Sequence, residues 1–176
     1  MRHLSVVLVV LLAVAAFSVA HSDEQPLSAP TAASTTTKIP TRDQAQRQAE
    51  LLHTAMHATL QVVHHRYYQE DEGLLLPAAT LKEVFAEIEK EEGVQLRWLA
   101  VEGEVMNTDH TARDDFEQEA VKALKSGQPA YEQVENGTYR RAGPITLSNH
   151  CLKCHVPDRK NTKNRTAGLI ISMPVH

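Results

Sequence analysis

The chain has 176 residues, a formal net charge of −4, ten histidines and only two cysteines. That length admits one domain with short appendages and excludes a two-domain enzyme with separate cofactor and substrate folds. The mildly acidic balance excludes a nucleic-acid-coating protein, which needs a basic stripe, and two cysteines are too few for a disulfide scaffold.

Residues 1–20 read as a secretory signal. Arg2 and His3 make a basic start, Leu4 to Phe17 is an almost unbroken apolar run, and Ser18-Val19-Ala20 puts small residues ahead of polar His21-Ser22-Asp23-Glu24. A retained membrane anchor is the competing reading, but the run is short for a span of about 20 residues. The expected location is the periplasm or another exported compartment, with no membrane span after cleavage. Residues 21–41 are rich in Ser, Thr, Ala and Pro and poor in large apolar side chains, the composition of a disordered tether. The expected folding unit is 42–176.

Thr41 and Gln44 form a capping box at the head of a long helix. Ala45, Ala49, Leu52, Met56, Thr59, Val63 and Tyr67 then follow at steps of four and three, one apolar face running to about Gln69. Thr80 and Glu83 predict the cap of a second helix carrying Leu81, Val84, Phe85 and Ile88, stopped by Gly93. Val94–Val101 predicts a strand between glycines. Asp114 and Glu117 cap a third helix with Phe116, Ala120, Ala123 and Leu124. Strands at 130–135 and 138–147 flank Asn136-Gly137, a strong hairpin signal, with Pro144 expected at an edge or bend. Gly168 to Pro174 predicts a last, buried strand. Helices and strands do not alternate regularly, so the expected class is α+β, an antiparallel sheet with flanking helices.

One run carries specific chemistry: Cys151-Leu152-Lys153-Cys154-His155. Two thiols three positions apart can add to the two vinyl groups of one haem, and the next histidine can then reach the iron from the proximal side. Three readings compete. A thioredoxin-like pair wants a βαβ context that is absent, a zinc site needs further ligands, and a disulfide over two intervening residues is strained. Together with the signal segment, the run points to one covalent haem c, held by Cys151 and Cys154 with His155 on the iron.

Tyr139-Arg140-Arg141-Ala142-Gly143-Pro144-Ile145 before this run and Ala167-Gly168-Leu169-Ile170-Ile171-Ser172-Met173-Pro174 after it carry a resemblance. With Arg97, Asn107 and Phe116-Glu117, the stretch from about Ala49 onward resembles the PAS-like c-type haem domain family, exported single-haem proteins and sensor regions of bacterial signalling proteins. The resemblance implies a PAS-like antiparallel sheet with a haem held against it. It also implies, in some members, a cysteine from the long helix as the second axial ligand. Both cysteines of this chain are spent on attachment, which leaves a histidine, a methionine or an open site.

His53, His57 and His64 fall within about 40° of one another on the first helix, beside Met56. His57 is the leading candidate for the iron, with Met56 and His53 as alternatives. Met106, His110 and Met173 are weaker, and His150 is expected near the haem edge. Arg97, Arg140 and Arg141 are candidate partners of the haem propionates, since arginine matches a carboxylate bidentately. The basic run from Arg159 to Arg165 is read as a solvated loop.

The expected function is soluble electron transfer with a redox partner protein. A redox or gas sensor that binds a small diatomic ligand and signals to a separate partner is the alternative, and a second copy docked through the first helix is a further candidate partner. No distal acid–base arrangement marks an enzyme.

Overall fold

The computed structural model describes residues 39–68, 73, 75–103, 107–156 and 160–176, the side chain of Cys154 excepted. The signal segment, the tether up to residue 38 and Met106 lie outside these residues. Ile39, Pro40 and Thr41 belong to the domain rather than to a tether. The Pro40 carbonyl accepts from His176 N–H at 3.3 Å, and Thr41 caps the first helix with its capping box complete. Among the described residues no helix is long and apolar enough to cross a membrane.

Among the described residues the elements follow in order: α1 (Arg42–Tyr67), α2 (Pro77–Glu92), β1 (Gln95–Leu99), a 3-10 turn (Thr108–His110), α3 (Asp115–Lys125), β2 (Tyr131–Glu135), β3 (Thr138–Leu147), α4 (Leu152–His155) and β4 (Arg165–Pro174). The class is α+β, as the sequence implies. The four strands form one antiparallel sheet in the order β1-β4-β3-β2. Strand β4 is central, and its side chains are buried on both faces, which is why it reads as an unbroken apolar run. Leu169, Ile171 and Met173 pack with Trp98, Tyr139 and Ile145 under α1 and α2, whereas Ile170 joins Leu99, Ala142, Phe116 and Leu124 under α3. Met173 is thus a core residue, 2% exposed.

Two predicted starts move. Thr80 does not cap α2; the helix begins a turn earlier at Pro77, whose fixed φ and missing N–H suit the first helical position. The Thr80 hydroxyl instead bonds back to the Leu76 carbonyl at 3.4 Å. Strand β4 begins at Arg165, so the end of the basic loop is already sheet. Asn136 and Gly137 turn the β2–β3 hairpin with φ of 50° and 73°, the left-handed pair a two-residue hairpin needs.

The hairpin strands are unequal, and the consequence shapes the molecule. Strand β2 pairs with Thr138–Ala142 only, so the second half of β3 has an open edge. Pro144 sits there, where its missing donor deprives no strand. Three side chains of α1, each one turn after the last, close that edge. His53 Nε2 donates to the Pro144 carbonyl (3.1 Å), His57 Nε2 accepts from Thr146 N–H (3.3 Å), and Gln61 Nε2 donates to the Thr146 carbonyl (2.8 Å). Gly143 makes room for the His53 ring, which a β-carbon there would meet at 2.6 Å. The helix therefore stands in for a fifth strand.

This clamp needs an unprotonated His57, because a protonated ring has no lone pair for Thr146 N–H. Burial, then the neighbouring His57 and Arg141, hold the His53 pKa below its ordinary 6.5, and burial does the same at His57. As pH falls through the ordinary value the unfolded chain takes up protons first, so folding stability drops from there down to the depressed folded values. The melting temperature should therefore decline from about pH 7.5 to about pH 5, and less steeply in His57→Gln. A melting temperature flat across that window would contradict the clamp.

Candidate functional site

A cavity of about 220 Å³ opens at the end of β3, where the clamp stops. Helix α1 contributes Leu60 and His64 to one wall, with Tyr68 just past its end; α2 contributes Ala78 and Lys82, with Leu76 just before its start. The floor is sheet: Trp98, Ile145, Leu147 and Gly168. Cys151 and His155 from α4 enter from the remaining side with His150, and Asn107, Glu102 and His110 also line the cavity.

Local sequence explains how α4 is held. Leu152 is 0% exposed and pins the turn to the core, with its N–H on the Ser148 carbonyl at 3.1 Å. His155 N–H bonds back to the Cys151 carbonyl at 3.2 Å, closing one helical turn. Gly103, at φ 93°, lets the preceding loop press on this turn; a β-carbon there would lie 2.8 Å from the His155 carbonyl oxygen. Burial lowers the His155 pKa, which favours the neutral imidazole, the form able to ligate a metal.

Two buried nitrogens in this wall, His150 Nε2 and His110 Nε2, have no hydrogen-bond partner among the described residues. Leaving such a group unmet costs about 1–3 kcal/mol, so the wall is suited to a ligand that carries acceptors. The donor set, a thiol and a neutral imidazole over an apolar floor with Lys82, Asn107 and His110 at one rim, fits a large apolar group with an acidic edge. Among the described residues, no three His, Cys, Asp or Glu side chains group to hold a metal ion.

Several predicted site residues lie elsewhere. His57 and His53 serve the β3 edge and do not line the cavity; Met56 packs against the core beneath α1. The arginines are committed to carboxylates. Arg97 Nη1 reaches Glu117 Oε2 at 2.5 Å, and its Nη2 donates to the Asp109 and Thr111 carbonyls. Arg140 bridges Asp114 (2.7 Å) and Glu117 (3.3 Å) over the Phe116 ring, and Arg141 pairs with Glu132. None of the three lines the cavity, so the cation at the rim is Lys82, with Asn107 and His110 as its polar neighbours. His150, expected near the haem edge, does line it.

Sequence reasoning put His53, His57 and His64 on one helix flank and favoured His57; of the three, only His64 lines the cavity. The signal that separates them is strand length: a five-residue partner for a ten-residue strand leaves an edge that earlier positions of the flank must satisfy.

A family model described as Tll0287-like matches residues 36–171, nearly the whole folded unit. No curated protein sequence matches the chain. Among solved structures the chain is similar to the cyanobacterial haem protein Tll0287, with 16% identity and a TM-score of 0.55 over 73% of this chain and 95% of that one. At that identity the likeness is one of fold.

Proposed function

The chain belongs to the Tll0287-like family, and on that footing we propose that it is an exported haem c protein that carries single electrons. The observation that carries this reading is the entry of Cys151 and His155 into one apolar cavity whose buried histidine nitrogens lack partners. The Cys151 and Cys154 thiols would hold haem through thioether bonds, each S–H adding across one vinyl group with no oxidant required. His155 would be the proximal ligand, and Lys82, Asn107 and His110 would face the propionates. When bound, haem supplies a one-electron iron couple.

The chain's own residues then do three things. Trp98, Ile145 and Leu147 present an apolar floor that excludes water from the flat face of the group. Leu152 keeps the attachment turn rigid, so that the thiols and the imidazole stay in register. Lys82, 43% exposed and 3.7 Å from Asp109, places a cation at the rim without burying it. A redox partner protein is the proposed partner, and Leu51 and Val62, both exposed on the outer face of α1, support pairing with a second copy there.

A potentiometric titration of the loaded protein, with carbon monoxide added to the reduced form, tests the role. A reversible one-electron transition and a reduced spectrum indifferent to carbon monoxide are expected. A reduced iron that binds the gas would support a diatomic sensor instead.

A further inference from the structure

We infer that His64 is the second axial ligand of this cleft, an inference that rests on the haem reading above. The periodicity of α1 points to it. His53, His57 and Gln61 spend their side chains on the open edge of β3. His64 follows His57 by seven residues, which returns it to the same flank within about 20° and about 10 Å farther along the axis. That step carries it past Thr146, the last clamped residue of β3, and into the cavity wall that Cys151 and His155 also line. The flank that closes the strand with its first positions thus offers its next one to the cleft.

The ring is well placed. His64 lies 4.8 Å from His150 in an edge-on arrangement at 87°, and 5.0 Å from Tyr68. Held between two rings, a helix-borne imidazole has little rotamer freedom left to lose on ligation. His110 also lines the cavity, but it sits at the corner of Lys82, Asp109 and Arg97, whose charges act on it. That cationic corner suits the acidic edge of the group, not its iron. His57 is excluded by its bond to Thr146 N–H.

The test uses exported, loaded protein, compared as wild type, His64→Ala, His64→Met and His57→Ala. Each is first stained for haem after denaturation. Wild type and His57→Ala are expected to be six-coordinate and low-spin and to ignore carbon monoxide. His64→Ala should turn high-spin and bind carbon monoxide, and added imidazole should restore the low-spin spectrum by filling the vacated position. His64→Met should stay low-spin with a raised midpoint potential, because a thioether ligand favours the reduced iron. A stained His64→Ala that remains low-spin and closed to carbon monoxide would overturn the assignment while leaving the haem reading intact. An unstained wild type would overturn that reading itself.

Discussion

Replacing both Cys151 and Cys154 by alanine should abolish covalent haem completely. In a host that matures c-type cytochromes, the wild type is expected to keep its haem stain after boiling in detergent, and the double variant to show none. The physical reason is that thioether bonds survive unfolding, whereas contacts with Trp98, Ile145 and Leu147 vanish with the fold. Cys151 directly precedes the single turn Leu152–His155, and three residues are close to one helical turn, so the two thiol positions share one side of it. Leu152, between them, anchors the opposite side in the core. The variant should stay folded, since the change leaves Leu152 and the backbone bonds of α4 in place; far-ultraviolet circular dichroism checks this. Stain that persists in the double variant would place the attachment elsewhere.

Glu117→Ala is expected to be the most destabilising single change on the other face of the sheet. Glu117 is 2% exposed, yet it accepts from Arg97 Nη1, Arg140 Nη2 and the Arg113 N–H, while its own N–H caps on Asp114 at 2.9 Å. Removing the carboxylate leaves two guanidinium groups, each 21% exposed, without their shared counter-charge. Breaking a buried pair from one side costs about 3–5 kcal/mol, a large part of a typical domain's stability of about 5–15 kcal/mol. Urea denaturation should show that loss. It should also show recovery when Arg97 and Arg140 are replaced by methionine together with Glu117→Leu, because an apolar triad has no charge left to compensate. A loss under about 1 kcal/mol for Glu117→Ala would deny the carboxylate this role. The same variants separate two jobs for the arginines: with the propionates facing Lys82 and His110, Arg97→Ala should lower stability and leave the haem spectrum unchanged.

Those arginines show where sequence reading reached its limit. Their types suit propionates, and nothing in the linear order of Arg97, Arg140 and Glu117 says that an antiparallel register brings them to one face. The elements themselves were legible because local signals agreed: the Thr41–Gln44 box, the Asp114 cap, Asn136-Gly137 and the apolar run of β4. The start of α2 was misread because Pro77 and the Thr80 pattern compete, and proline's fixed φ prevailed. The helical turn Leu152–His155 was legible from the five residues Cys151 to His155. How His53, His57 and His64 divide between strand edge and cavity was not, because it requires knowing that β2 begins at Tyr131, opposite Ala142, and leaves Pro144 and Thr146 to be satisfied. That is a fact of pairing length, visible in the unequal hairpin arms but decisive only once α1 is laid along the strand.

The central claim is that Cys151 and Cys154 hold one haem. Intact-mass measurement of the denatured, exported chain tests it most directly. The account predicts the mass of the chain cleaved after Ala20 plus one haem, with both cysteines unreactive to alkylation. A chain without that added mass, its cysteines free to alkylate or joined as a disulfide, would contradict it.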